Sequence, residues 1–315
     1  MTTQFKSALI TGGAGFIGSH IADALLAEGC TVSVLDNLST GRLSNLEHIK
    51  DRIAFYKGDI QDQEMLAYAA KDCEVIFHLA AVVSVPQTVE HPVDSALVND
   101  IGTLRVFETA RKNRVKRVVF SSSCAVYGDD PELPKRETMV PRPLSPYAVQ
   151  KLTGEFHARL YHDLYGVETV CLRYFNVYGP RQDPSSPYSG VISIFMKKAA
   201  SKETPFIYGD GTQSRDFVFV KDVVKANLLA ASMSQAEGKI FNIGTGRAVT
   251  IGHLWEIICT MSRLHIEPAY QPPRPGDIRE SLANIDQAKA LLGFHPDYLF
   301  EKGLEITFEW YRKEA

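Results

Sequence analysis

A doubly wound, parallel α/β sheet with a second, smaller α+β domain is the fold that this sequence predicts, and three features carry the prediction. Short runs rich in Val and Ile, apolar on both faces, alternate with segments of helical spacing through the first half, as buried parallel strands and their crossover helices do. A glycine cluster, Thr11-Gly12-Gly13-Ala14-Gly15-Phe16-Ile17-Gly18, joins the first run to the first helical segment. Beyond residue 176 the alternation breaks into shorter elements punctuated by proline and by the turns Gly209-Asp210-Gly211 and Gly244-Thr245-Gly246.

In chain order, strands are expected at Ser7–Thr11, Thr31–Leu35, Ile53–Tyr56, Glu74–Leu79, Arg117–Ser121 and Thr169–Arg173. Helices are expected at Phe16–Glu28, Thr103–Asn113 and Tyr147–Tyr165. Asp216–Val220 and Lys239–Ile243 read as late strands that return to the main sheet. The expected division is therefore residues 1–175 with 216–244 as a cofactor domain, and 176–215 with 245–315 as a substrate domain.

Composition narrows the partners. The 315 residues carry a net charge of −3, so no general basic field exists to attract nucleic acid. No apolar run approaches a membrane span, and the N-terminus lacks the pattern of a secretory signal. The five cysteines are scattered and never spaced C-x-x-C, and the nine histidines form no ligand motif. A cytoplasmic, metal-free protein is expected, and any anion it binds must be held by a local site.

The glycine cluster supplies one. It satisfies G-x-G-x-x-G from Gly13 and the wider G-x-x-G-x-x-G from Gly12, between a strand and a helix, as the Rossmann-type turn does. Glycines permit close backbone approach, and the helix N-terminus offers free N–H groups to a pyrophosphate. Asp36 ends the second strand, where a carboxylate accepts hydrogen bonds from the adenosine ribose and repels a 2′-phosphate. No arginine adjoins it, so NAD is expected rather than NADP.

A chemical pair follows. Tyr-x-x-x-Lys occurs twice, at Tyr147 with Lys151 and at Tyr298 with Lys302. The spacing puts both side chains on one helical face, and an ammonium near a phenol favours the phenolate. Only the first pair is preceded by a polar strand end, Ser121-Ser122-Ser123, and strand C-termini are where open α/β sheets bind ligands. Tyr298 and Lys302 are expected to be a coincidence of spacing.

Thr11 to Gly18, Asp36, Gly58-Asp59-Ile60, His78-Leu79-Ala80-Ala81, Asn99, Ser121 to Ser123 with Val126-Tyr127-Gly128, and Tyr147-x-x-x-Lys151 together resemble the extended short-chain dehydrogenases/reductases. The resemblance continues through Leu172-Arg173-Tyr174-Phe175-Asn176-Val177-Tyr178-Gly179-Pro180, Gly209 to Gly211, Ser214-Arg215-Asp216 and Arg274-Pro275-Gly276-Asp277. It spans nearly the whole chain and is most similar to the NAD-dependent UDP-hexose 4-epimerase branch. It implies Ser123, Tyr147 and Lys151 as the catalytic set, with Lys151 depressing the tyrosine pKa. It implies NAD held by Gly12, Gly15, Phe16, Ile17, Gly18, Asp36, Asn37, Ser39, Thr40, Gly41, Asp59, Ile60, Leu79, Ala80, Ala81, Asn99, Ser121, Tyr147, Lys151, Tyr174 and Phe175. For the UDP-hexose it implies Asn176, Arg215 and Arg274 on the diphosphate, Asp277 on the uridine ribose, and Gly190, Val191, Phe206 and Tyr208 around the uracil.

The same scaffold serves other chemistry, so fold alone does not choose. Cys124 and Ala125 stand where sugar-nucleotide 4,6-dehydratases carry an Asp-Glu pair and where the decarboxylases carry a Glu at the second position. Pro86 stands where UDP-glucuronate 4-epimerases carry an arginine, so a neutral hexose is expected. Ser281 aligns with a site where glucose- and galactose-restricted epimerases often carry tyrosine, which leaves room for a 2-acetamido group. UDP-GlcNAc/UDP-GalNAc is thus the expected pair, with UDP-Glc/UDP-Gal beside it. The alternatives are a UDP-glucuronate epimerase or decarboxylase, a dehydratase, and a nonenzymatic NAD-binding regulator. The resemblance also implies a homodimer through helices near 96–113 and 147–165. The stripe Leu152, Phe156, Leu160 and Leu164 fits that interface or the chain's own core equally.

Overall fold

Residues 4–183, 190–273 and 278–314 are described by the computed structural model. Arg274 and Asp277 lie outside them.

The Val- and Ile-rich runs fold as β1 (Ser7–Thr11), β2 (Thr31–Asp36), β3 (Ile53–Lys57), β4 (Val75–His78), β5 (Arg117–Ser123) and β6 (Glu168–Tyr174). The first crossover helix is α1 (Phe16–Ala27); α2 (Gln63–Ala69), α5 (Thr103–Lys112) and α6 (Pro146–Tyr165) cover the opposite face of the sheet. Between β4 and α5 the chain makes two short helices, α3 (Val85–Glu90) and α4 (Pro92–Ala96), and a π-helical turn over Leu97–Gly102. One late strand, Lys239–Ile243, joins β6 as expected, so the seven-stranded sheet is parallel throughout. Its order reverses at β1, which lies between β2 and β4. The C-terminal ends of all these strands lie along one rim, and a ligand crevice forms at such a reversal.

The other late strand does not return. Ser214–Phe219 pairs in parallel with β7 (Asn176–Tyr178) and antiparallel to Ala248–Thr250, in a separate three-stranded sheet. The first residues of the expected cofactor-domain segment 216–244 thus pair with strands of the smaller sheet. Phe219 and Val220 pack in the core of the smaller domain, whereas Val223, Val224 and the residues after them join the core under the main sheet. Both assignments rested on apolar runs of similar length, and only strand pairing tells them apart. The smaller domain adds the helix Val191–Ala200 and a parallel pair, Phe206–Tyr208 with Ala269–Gln271.

The apolar stripe of α6 turns outward. Leu152 is half-buried, but Phe156, Leu160 and Leu164 are 61, 50 and 67% exposed. The core-facing side of α6 uses Ala148, Lys151, Gly154, Glu155 and Ala158 instead, because small residues let the helix approach Phe120 closely. Among the described residues no helix is long and apolar enough to cross a membrane.

Candidate active site

The glycine turn is shaped by contacts that exclude side chains. Gly12 has φ +72°, and a Cβ there would lie 2.8 Å from the backbone nitrogen of Ala80; a Cβ on Gly18 would strike the Gly12 carbonyl. No side chain caps α1 at Gly15, so the first-turn N–H groups of Phe16, Ile17 and Gly18 lack intrahelical partners and face the crevice rim. This arrangement fits a pyrophosphate. Asp36, at the end of β2, accepts hydrogen bonds from the backbone N–H groups of Ala14 (2.9 Å) and Leu38 (2.8 Å), so it braces the turn as well as fronting the ribose position. Burial raises its carboxyl above the usual range. Asn37 donates to Asp59 at 2.7 Å and accepts from the Ser39 N–H at 3.0 Å, and Gly41 lies against Asp36. Ile60 is buried close by, and Thr40 is exposed. Leu79, Ala80 and Ala81 run out from the end of β4 beside Gly12.

Helix α6 begins sharply. The Ser145 hydroxyl accepts from the Ala148 N–H at 3.2 Å and Pro146 occupies the first turn, which places Tyr147 and Lys151 one turn apart on one face. Lys151 Nζ donates to the Ser121 carbonyl at 2.8 Å and sits 5.1 Å from the centre of the Phe120 ring and 5.8 Å from that of Tyr147. The Ser123 hydroxyl accepts from the Ala125 N–H at 3.2 Å and hydrogen-bonds the Tyr147 phenol. β5 extends two residues further than its apolar run, and this carries Ser123 to Tyr147.

Burial dominates the electrostatics of this pair. Burial pushes the Tyr147 phenol up to about 12, and the bond from Ser123 offsets this only in part. Burial also lowers Lys151 to about 8. The Lys151 ammonium is directed at the Ser121 carbonyl. A buried phenolate needs further stabilisation before it can act as a base at neutral pH.

Other expected residues fall differently. Asn99 donates to the Val82 carbonyl (2.9 Å) and Gln150 (2.7 Å) and accepts from the Val82 N–H (2.8 Å), so both its N–H protons are taken and it holds the loop after Ala81 rather than facing open space. The Tyr174 hydroxyl donates to Asn227 at 3.0 Å within the core, and the Phe175 ring packs with Val126 and Ala283. These consecutive residues point to opposite faces, and each side chain is buried in a different core cluster. Asn176 makes a long 3.3 Å bond to the Asp216 carbonyl. Phe206 and Tyr208 lie on one face of their strand while Ile207 between them is buried, and Gly190 and Val191 start the helix Val191–Ala200. Arg215 donates to the Ser214 carbonyl at 2.9 Å. Ser281 is buried and hydrogen-bonds Cys124, the neighbour of Ser123; burial pushes that thiol up to about 11, so it is a wall and not a nucleophile. Tyr298 precedes the helix Phe300–Glu314 and packs on Phe219, while Lys302 pairs with Glu305, so this second pair makes no site.

Three supports escaped sequence reasoning. His78, at the end of β4, bridges Thr11 (2.8 Å) and Thr103 (3.0 Å); burial lowers it to about 3, so it stays neutral. Gln150 links Asn99 to Ser95. Glu155, one turn beyond Lys151, takes two bonds from Arg173 of β6, at 2.8 and 2.7 Å, and one from Ser122. A polar residue ending an apolar run was the available signal for His78. Nothing local marked Glu155 and Arg173 as partners.

Comparison with known proteins agrees with this geometry. A family model described as the NAD dependent epimerase/dehydratase family matches residues 8–244. A UDP-glucose 4-epimerase of Mycolicibacterium smegmatis is 41% identical, covering 98% of this chain and 99% of its own. The structure of a UDP-N-acetylglucosamine 4-epimerase from Methanobrevibacter ruminantium, in complex with UDP-N-acetylmuramic acid, is 42% identical with a TM-score of 0.95 and covers 99% of each chain. That of a UDP-glucose 4-epimerase from Thermotoga maritima with UDP-glucose is 41% identical with a TM-score of 0.94, covering 98% of this chain and 99% of that one.

Proposed function

Because the chain belongs to the NAD-dependent epimerase/dehydratase family, we propose that it inverts C4 of a UDP-hexose through a transient 4-keto sugar, with UDP-GlcNAc and UDP-GalNAc as its preferred pair. It is an NAD-dependent UDP-sugar 4-epimerase. The choice of sugar rests on one contact, the small Ser281 side chain against Cys124 beside the catalytic serine. A tyrosine at position 281 would fill the space that a 2-acetamido group needs.

When bound, NAD supplies an acceptor that takes the C4 hydride and returns it. The protein's part is binding, orientation and proton movement. The Phe16, Ile17 and Gly18 N–H groups and Asp36 would hold the dinucleotide. Tyr147, as phenolate, takes the proton of the sugar 4-hydroxyl and gives it back after the ketone has turned its other face; Ser123 holds that oxygen in line. The ammonium of Lys151, 5.8 Å from the centre of the phenol ring, stabilises the phenolate. Arg215 meets the diphosphate, where a guanidinium matches phosphate oxygens. Neither Cys124 nor Ala125 offers the carboxyl group that dehydration or decarboxylation needs.

Incubation of the purified protein with UDP-GlcNAc and no added NAD should yield UDP-GalNAc by chromatography. A stable 4-keto product would identify a dehydratase instead, and turnover of UDP-Glc alone would remove the N-acetyl assignment. Ser281→Tyr should cut kcat/KM for UDP-GlcNAc by about 100-fold and leave UDP-Glc turnover nearly intact, since steric exclusion from a closed pocket costs several kcal/mol.

A homodimer is part of the same reading. Phe156, Leu160 and Leu164 on α6 are exposed, as are Val89, Val93, Leu97 and Ile101 on the segment between β4 and α5. Seven large apolar side chains of this kind mark an association surface, and a second copy fits because a two-fold interface uses one patch twice. Light scattering should return twice the chain mass for the wild type, and Phe156→Glu with Leu160→Glu should halve it. A monomeric wild type would remove the assignment.

A further inference from the structure

We propose that residues 179–183 form a strap that retains the dinucleotide, with Arg181 as its positioning residue; this rests on the NAD reading above. The segment leaves β7 of the smaller domain and lies across α1 and the loop after β2. His20 Nε2 donates to the Pro180 carbonyl at 3.0 Å, and burial lowers His20 to about 4, so the ring is neutral and its donor stays in place. Arg181 Nη1 is 2.8 Å from Asp23 of α1, and Nη2 is 3.4 Å from His48, which itself lies 2.7 Å from Asp23. On the other side, the Gln182 side chain donates to the Val177 carbonyl at 3.2 Å, and the Tyr311 hydroxyl donates to the Gln182 carbonyl. The strap is thus tied to both domains.

Its backbone is strained. Arg181 has φ +68°, a region that non-glycine residues seldom occupy and that persists only where surrounding contacts enforce it. Its guanidinium is 18% exposed and ion-pairs with Asp23 of α1. At the end of the strap Asp183 pairs with Arg42, whose own N–H donates to the Ala14 carbonyl inside the glycine turn at 3.0 Å. Asn45 donates to the same carbonyl at 2.9 Å. The loop from Asn37 to Arg42 follows Asp36 and is pinned to the glycine turn at the Ala14 carbonyl, so on the NAD reading it borders a dinucleotide seated on that turn. The strap ties that loop and α1 to the other domain. The exposed Arg42–Asp183 pair contributes little alone. Arg181, largely buried and ion-paired with Asp23, carries the retention.

The test follows bound NAD directly. Wild type, Arg181→Gly (which keeps the positive φ) and Asp183→Asn are desalted, and nucleotide per chain is measured in acid extracts against time after dilution. Wild type should hold NAD; Arg181→Gly should release it about tenfold faster, and Asp183→Asn by a smaller factor. Added NAD should restore the activity of Arg181→Gly to near the wild-type value, which a merely misfolded variant would not allow. Release from Arg181→Gly at the wild-type rate, or lost activity that NAD does not restore, overturns the strap alone. Wild-type protein that neither retains nor responds to NAD overturns the cofactor reading and the strap with it.

Discussion

Tyr147→Phe is expected to lower kcat about 10³-fold, with UDP-sugar affinity and folding nearly unchanged, because one positioned acid–base group commonly contributes 10²- to 10⁴-fold. The substitution removes a single oxygen and leaves in place the ring that lies 5.8 Å from Lys151 Nζ. Steady-state kinetics and calorimetric binding of UDP measure the two quantities separately. The pH profile adds a sign. Burial places the phenol at about 12 before ligands bind, and the reaction needs it deprotonated, so activity should rise as pH increases through the acid limb. Lys151→Met removes the cation beneath it and should move that limb upward by about one unit. A limb that stays in place would show that Lys151 acts only by holding the Ser121 carbonyl and the cofactor. A Tyr147→Phe enzyme within tenfold of wild type would remove Tyr147 as the base.

Glu155→Leu should destabilise the protein by about 3–5 kcal/mol, the cost of leaving a buried guanidinium without its counter-ion. Both side chains are only 2% exposed, and their two parallel bonds leave little room for water to substitute. Against the 5–15 kcal/mol that holds a typical domain together, the loss is large, and the melting temperature should fall by about 10 °C. The second mutation makes the argument specific. Arg173→Met in the Glu155→Leu background replaces the pair by apolar groups and should recover most of the loss. Thermal unfolding of the two single variants and the double variant measures the coupling. If Glu155→Leu melts within 2 °C of wild type, the pair is not a structural linchpin. Turnover should fall as well, because Glu155 also holds Ser122, between the carbonyl that anchors Lys151 and the Ser123 hydroxyl.

Much of the site was legible in the chain because its signals are local. The turn from Gly12 to Gly18 needs glycine for reasons that act within a few residues, and the Asp at the end of the next strand follows from the geometry of one βαβ unit. Tyr147 and Lys151 were separable from Tyr298 and Lys302 only through a second signal, the serine run at the end of β5. The burial of the Tyr174 and Phe175 rings in two separate core clusters was not legible, because it depends on which elements pack against the two faces of β6.

Short-range spacing thus determined the alternating strands and helices, the glycine turn and the placing of Tyr147 and Lys151 on one face of α6, since period, capping and glycine placement act between neighbours in the chain. Tertiary structure alone decided that Ser214–Phe219 joins the smaller sheet, that the α6 stripe faces outward and that Glu155 meets Arg173. It also decided that Arg181 reaches back to Asp23, a residue far earlier in the sequence. Which strands pair, and which polar groups are buried together, depends on surfaces that meet only after the elements have formed. The free energy of burying an ion pair or a phenol belongs to that meeting, and no spacing in the chain encodes it.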